Sequence, residues 1–328
     1  MNIFEKVVRR GRRLAHGVGH PSAMPILKLV AARKWSRWKG AAAPGFAGGE
    51  RANAEGGRLP REAGENSTQI PPIVFQTWKT HASIPSNYSQ WRQTFIDKNP
   101  GFDVILWDDA DNRNFVQEKF PWFMPFYDRY PKEIYRVDAV RIFFLFYFGG
   151  FYADMDTECL RPLASLQGRG DVLLGRMGAD GSFEHSVPNA IMASRPRQMF
   201  WVLAMVLMMQ KLEAHKNNDE IIRLGPEKFT GPVFLKEVVD IYSSADRAEL
   251  GRLCEGVLSQ LGEPLAASIS AGEITLLDPD EWYPIDWTNP IHRLLRSDIL
   301  VNRSPLDGKT AECLFPQATM VTYWSHSW

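Results

Sequence analysis

From Pro71 onward, short apolar runs alternate with longer stretches of helical period. "PPIVFQTW" reads as a strand, residues 85–99 as a helix, and "FDVILW" (Phe102–Trp107) as a second strand. Asp108, Asp109 and Asp111 then offer N-caps for a following helix. Pro131 to Phe148 reads as one long helix, with Pro131 suited to a first helical position and Gly149 to the residue after the last. "GFYAD", "DVLLG" and "SVPNAIMAS" continue as strands, and "RQMFWVLAMVLMMQKL" as an apolar helix. Strands interleaved with helices predict an α/β layer fold with a mostly parallel sheet.

Residues 1–70 break this pattern. In "NIFEKVVRRGRRL", Ile3, Phe4, Val7, Val8 and Leu14 can share one helical face opposite the arginines, and Ile26, Leu27, Leu29, Val30, Trp35 and Trp38 form a second apolar and basic segment. Residues 40–70 are small, polar and glycine-rich, the composition of a linker. The expected division is therefore an arm with its linker at 1–70 and one domain at 71–328. The arm reads either as a peripheral contact with an anionic membrane surface through residues 1–40, or as a basic tail with no partner.

Charge sharpens that division. The 328-residue chain has a formal net charge of zero, yet residues 1–45 carry ten lysines and arginines against a single acid, Glu5. The remainder is correspondingly acidic and contains no nucleic-acid-binding motif, so no nucleic-acid partner is expected. Three widely spaced cysteines, Cys159, Cys254 and Cys313, form neither a disulfide framework nor a CxxC pattern. The longest apolar run, Met199–Met209, is too short to span a bilayer. The expected location is cytoplasmic, peripheral on the inner face of a membrane.

The chemistry concentrates in "FFLFYFGGFYADMDTECLRPL", where an apolar helix end and two glycines are followed by Asp154 and Asp156. On a strand, residues two apart point to one side, and the carboxyl end of a parallel strand opens onto the crevice where α/β proteins bind ligands. Two carboxylates aimed there can hold a divalent cation through hard oxygen ligands. On the preceding helix Asp138 and Arg141 are three apart and share a face, which by spacing alone is also what an ordinary intrahelical ion pair looks like.

"QTWK" (Gln76–Lys79), "NPGFDVILWDD" (Asn99–Asp109), "YRVDAVRIFFLFYFGGFYADMD" (Tyr135–Asp156) and the terminal "HSW" resemble the DXD-containing family-32-like glycosyltransferases, which include fungal mannosyltransferases and bacterial capsular polysaccharide transferases. The resemblance covers roughly residues 71–328. It implies a GT-A-type Rossmann-like fold, a UDP- or GDP-sugar donor, a glycan or glycolipid acceptor, and Mn2+ or Mg2+. It implies further that the hexose is transferred with retention of configuration. By the same resemblance Gln76 and Trp78 would lie at the nucleotide base, and Asp138 and Arg141 at the donor's ribose, sugar or phosphates. Tyr152 would pack on the nucleotide, Asp154 and Asp156 would serve metal and catalysis, and Asn189 would face the transferred sugar. His326 would be a further metal ligand, and Trp328 would reach the diphosphate.

Two more stretches carry expectations. "FTGPVFL" resembles a helix start of the same family, which implies that Thr230 caps and Gly231 permits a close approach. In "DPDEWYPIDW" Trp282, Tyr283 and Trp287 would either line an acceptor platform or pack in the core. The alternatives to a transferase are a metal-dependent phosphatase of the Asp-x-Asp type, which places Thr or Val where this chain has Glu158, and a nonenzymatic sugar-binding module.

Overall fold

The computed structural model describes Pro60 and residues 68–178, 180–302 and 304–325. The basic arm read from residues 1–40 lies outside the described residues, as do His326 and Trp328.

The domain opens with β1 (Ile73–Thr77), α1 (Ser86–Lys98), β2 (Asp103–Trp107), α2 (Asp109–Lys119) and the short α3 (Met124–Tyr127). The helix α4 (Glu133–Tyr147) leads into β3 (Gly150–Ala153), β4 (Thr157–Cys159), β5 (Val172–Gly175) and β6 (Ile191–Ser194). A helical stretch follows: α5 (Met199–Ala214), α6 (Asn218–Leu224), α7 (Pro226–Phe229), α8 (Pro232–Ser244) and α9 (Arg247–Leu261). The chain returns through β7 (Ile274–Leu277), α10 (Pro279–Trp282), α11 (Pro290–Asn302), α12 (Gly308–Leu314) and β8 (Met320–Thr322).

Six strands form one sheet in the order β2-β1-β3-β6-β5-β7. The β1–β2, β1–β3 and β5–β7 pairs are parallel, and only β6 runs against its neighbours, so the sheet is mixed but mostly parallel, as expected. Both faces are covered, which explains why β1 is buried at every position. Ile73 and Phe75 enter a core with α2, α4, α5 and α8. Val74 points the other way, into a core with Phe95 of α1, Cys159 of β4 and Met320 of β8. The β4–β8 pair is a separate antiparallel ribbon, with Glu158 opposite Val321. The Met199–Met209 run is the buried length of α5, and no helix among the described residues is long and apolar enough to cross a membrane.

The long helix begins later than its sequence suggests, at Glu133 with Lys132 as N-cap, and eleven of its residues are buried. It stops at two glycines with positive φ, Gly149 at +67° and Gly150 at +90°. A Cβ on Gly150 would stand 2.7 Å from the Ile73 carbonyl oxygen, and one on Gly149 would stand 2.7 Å from the Pro196 nitrogen. The chain therefore reverses in two residues and lays β3 directly beside β1. That reversal sets heights. Arg141 lies eight residues before Gly149, roughly 12 Å at the helical rise. Asp154 lies four residues after Gly150, roughly 13 Å at the strand rise. Helix and strand run in opposite directions, so the two side chains arrive level.

Gly150→Ala is expected to destabilise the domain by about 2–4 kcal/mol, because both φ and the Ile73 backbone oppose a side chain. Gly251→Ala, inside α9 with nothing near its added Cβ, is expected to be neutral or to stabilise by about 0.5–1 kcal/mol. Urea unfolding of the two variants checks this, and equal midpoints would contradict the tight reversal.

Candidate active site

Arg141 is 1% exposed and sits at the centre of the site. Its Nη2 lies 3.2 Å from Asp138 Oδ1 and 3.1 Å from Asp154 Oδ1, and its Nη1 donates to the Asn189 carbonyl at 2.9 Å. The guanidinium also stands 4.6 Å from the centroid of the Tyr152 ring, a cation–π contact in a dry setting. The intrahelical ion pair that the spacing allowed is present, but it is buried and Arg141 also ties the helix to the turn that follows β3.

Each carboxylate is oriented by neighbours. Asp138 accepts from Asn189 Nδ2 at 2.9 Å on Oδ1 and from Thr230 Oγ1 at 3.3 Å on Oδ2. Tyr152, fully buried, donates its hydroxyl to Asp154 Oδ1 at 2.8 Å and lies 3.4 Å from Thr77 Oγ1. Both bonds to Asp154 fall on Oδ1, and the described residues place no hydrogen bond on Oδ2. Asp156 accepts from Thr322 Oγ1 at 3.3 Å, from the Ser325 amide at 2.6 Å and from Ser325 Oγ at 2.8 Å. The chain leaving β8 therefore closes onto Asp156, and Tyr88 of α1 braces it through a 2.9 Å bond to Ser325 Oγ.

The motif's local conformation differs from expectation. Asp154 and Asp156 are not on a strand: β3 ends at Ala153, and the turn between β3 and β4 carries them, closed by the Thr157 amide on the Asp154 carbonyl at 3.0 Å. They come together because a turn at the sheet's carboxyl edge exposes successive side chains to one crevice, and strand alternation plays no part. Asn189 likewise precedes β6 rather than lying on it. Thr230 does not cap the start of α8, where Gly231 is the N-cap; it is the C-cap of α7, and its hydroxyl goes to Asp138.

Three buried carboxylates surround one buried guanidinium, and burial raises the proton affinity of two of them, Asp138 and Asp154. Burial pushes Asp154 up to about 7, with Arg141 opposing and Asp156 adding to the rise. Burial raises Asp138 too, against Arg141 and the donors from Asn189 and Thr230. Burial works against the charge of Arg141, but Asp154, Tyr152, Asp138 and Asp156 together raise its proton affinity. A divalent cation suits this donor set: hard oxygens, excess negative charge and an open Oδ2 on Asp154.

The remaining candidates lie around this centre. Gln76, near the end of β1, is fully buried, and neither atom of its side-chain amide has a hydrogen-bond partner among the described residues. Leaving such a group unpaired is costly, so the position favours a polar ligand. Trp78 stacks on Tyr88 at 4.6 Å and donates its indole N–H to the Ser83 carbonyl at 3.0 Å. Trp282 is fully buried and Tyr283 bonds the Ile191 amide through its hydroxyl, so both belong to the core rather than an acceptor platform. Trp287 lies under Arg296, at 4.7 Å from its guanidinium. Glu158 is also buried, and holds the Leu306 amide and the Tyr323 hydroxyl.

Sequence reasoning passed over a second group of ligand-type side chains. His81, Asp108 and Asp111 bring one ligand atom each within 4.8 Å of one another. His81 Nε2 lies 2.8 Å from Asp111 Oδ2, while Asp108 and Asp111 close a capping box at the start of α2. The aspartates were read as caps, correctly; no local pattern connects them to a histidine beyond β1.

Residues 85–173 match the family described as "Glycosyltransferase sugar-binding region containing DXD motif". The chain is 34% identical over 173 residues to inositol phosphoceramide mannosyltransferase 2 of Schizosaccharomyces pombe, covering 53% of this chain and 47% of that protein. It is 42% identical over 100 residues to inositol phosphoceramide mannosyltransferase 3 of the same organism, covering 30% of this chain and 28% of that protein. The chain thus spans less than half the length of these relatives. A solved structure, the PaToxG glycosyltransferase, shows a distant likeness at 17% identity and a TM-score of 0.43, covering 60% of this chain and 80% of that one.

The Asp154 carboxyl, held near 7 in the fold against 3.8 when exposed, makes the metal-free protein lose stability as pH rises from about 4 to 7, because the native state binds the extra proton across that range. In chelator, Asp154→Asn is expected to remove this slope and to be more stable than the parent above neutrality by about 2 kcal/mol. Urea midpoints across pH check it; an unchanged slope would show that the carboxylate surplus is not felt.

Proposed function

We propose that this chain is a glycosyltransferase that moves a hexose from a nucleotide-sugar donor to a hydroxyl of a glycan or glycolipid acceptor. The observation that carries the reading is the trio of Asp138, Asp154 and Asp156 around Arg141 at the carboxyl edge of β3. These groups are buried and pre-aimed, and more negative than their one shared cation can balance. In this reading Asp154 and Asp156 hold a divalent cation, Mn2+ or Mg2+, together with His326. The cation would neutralise the donor diphosphate and stabilise charge on it as it leaves.

The chain's own residues supply the rest. Arg141 fixes Asp154 and, with Tyr152, keeps its shared oxygen turned inward, so that Oδ2 faces the crevice. Asp138 holds the Asn189 side chain, which is positioned toward the transferred sugar. The unpaired Gln76 amide takes the nucleotide base, with Trp78 beside it. His326 and Trp328 would serve the metal and the diphosphate. Hydrogen-bond donors oriented in advance toward a leaving diphosphate stabilise its developing charge without reorganisation at the moment of reaction. The transfer retains the anomeric configuration, with the acceptor hydroxyl attacking on the face the diphosphate leaves. The names of the relatives favour a mannosyl donor and a phosphoinositol-containing lipid acceptor.

The test is hydrolysis of a donor panel (GDP-mannose, UDP-glucose, UDP-galactose and their N-acetylated forms) with Mn2+ and with chelator. One donor is expected to turn over only with metal, and Asp156→Asn to lose about 100-fold or more. No turnover or binding of any donor, or an Asp156→Asn variant as active as the parent, would defeat the assignment.

A further inference from the structure

Trp324 stands in the left-handed region of backbone space, with φ at +50°. A bulky side chain rarely adopts that conformation, because its Cβ crowds the neighbouring backbone, so other contacts must hold it there. They hold it from both sides. Tyr323, just before it, donates its amide to the Asp156 carbonyl at 2.9 Å, and Ser325, just after it, donates its amide to Asp156 Oδ2 at 2.6 Å. Arg296 of α11 donates to the carbonyls of Tyr323 and Trp324. Trp324 is thus the middle residue of a turn whose two flanks are both bonded to Asp156.

Its ring has an equally fixed neighbour. The indole stacks on Tyr283 with centroids 5.6 Å apart and planes inclined at 27°. Tyr283 is packed onto Gly175 at the end of β5, where a Cβ would stand 2.5 Å from its ring. The Tyr283 hydroxyl accepts from the Ile191 amide at 2.9 Å and lies 3.3 Å from the Pro188 carbonyl, so it reaches the backbone on both sides of Asn189. Tyr283 is buried and Trp324 only half-buried, which makes the indole the outer layer of the stack. The platform that the sequence left open at Trp282 and Tyr283 therefore lies one residue layer further out. Because the flanks of Trp324 hold Asp156 and its ring partner holds the backbone around Asn189, the indole stands between those two residues.

We propose that Trp324 is the acceptor platform: the indole face turned away from Tyr283 takes the C–H face of a six-membered polyol ring, a hexose or a cyclitol. This rests on the transferase reading given above, in which Asn189 faces the transferred sugar and Asp156 holds the metal at the diphosphate. An acceptor hydroxyl that attacks on the side the diphosphate leaves must enter between those two groups, and the indole occupies that place. The C–H bonds on one face of a polyol ring are weakly positive and meet the negative face of an aromatic ring, while the hydroxyls at its rim stay free for hydrogen bonds. Backbone strain of this kind persists at ligand clamps, where the surrounding contacts over-determine a residue's position. Here Arg296, Asp156 and Tyr283 do so.

The experiment uses the full chain labelled with 5-fluorotryptophan and followed by 19F NMR, the Trp324 resonance being the one missing from Trp324→Phe. With Mn2+ and GDP or UDP present, methyl α-mannoside and myo-inositol are each titrated, with the open-chain polyol mannitol as control. The Trp324 resonance is expected to move with at least one cyclic probe and not with mannitol; the probe that moves it further tells a hexose acceptor from a cyclitol. In transfer assays with that probe, Trp324→Leu is expected to raise the acceptor KM about tenfold with the donor KM held within about twofold, and Trp324→Phe to stay within about threefold of the parent. A Trp324 resonance unmoved by both cyclic probes, or moved equally by mannitol, overturns the proposal. So do equal rises in the two KM values, which identify a residue that only positions the closing turn. If Trp324→Leu does not fold, the titration of the parent protein decides alone. Donor hydrolysis by the parent is read without acceptor, so its absence condemns the transferase reading, and hydrolysis with an unmoved Trp324 resonance condemns the platform alone.

Discussion

A single buried guanidinium organises this molecule. Arg141 reaches one helical turn back to Asp138, across to Asp154 beyond β3, and over to the backbone at Asn189, while its flat face covers Tyr152. Burying a cation is tolerable only when its charge and donors are answered, and here the answers come from three separate elements. A lysine would not serve, because a point charge cannot address two carboxylates and a carbonyl in one plane while lying against a ring.

The answer is also incomplete by design of the charges. Asp138 is satisfied on both oxygens by Arg141, Asn189 and Thr230, so it behaves as an internal brace. Among the described residues Asp154 is satisfied on one oxygen only, and Asp156 is met by the segment that follows β8. The site is therefore closed below and electrostatically unfinished above. An unfinished buried charge lowers stability, and active sites are where such a cost persists because a ligand removes it. The closing segment, braced by Tyr88 and gripped by Arg296, links the crevice to α1 on one side and to α11 on the other.

Much of the fold could be read directly. The strands at β1, β2 and β5, the apolar α5, and the caps at Asp108 and Asp111 follow from period and end chemistry, which are local properties. Asp138, Arg141, Asp154 and Asp156 were legible as a set because they lie within one helix–turn–strand unit. What failed was also local in appearance. The DxD residues were placed on a strand, but the strand ends at Ala153 and a turn carries them. Thr230 was read as the cap that opens α8, yet Gly231 takes that place and the Thr230 hydroxyl donates to the buried Asp138 carboxylate. For Trp282 and Tyr283 the sequence left platform and core both open, and in space they are core.

By itself the sequence determined the height of the site. Two glycines of positive φ fix the reversal after α4, and the different rises of helix and strand then bring Arg141 level with Asp154, whatever else surrounds them. Only the tertiary structure decided what meets those side chains. Thr77, Asn189, Thr230, Thr322 and Ser325 arrive from distant parts of the chain, through a sheet order that runs β2-β1-β3-β6-β5-β7 and a ribbon that returns β8 to β4. Periodicity describes how a segment turns about its own axis. Which segments become neighbours depends on how their apolar faces pack together, and that is settled only when the whole chain has folded.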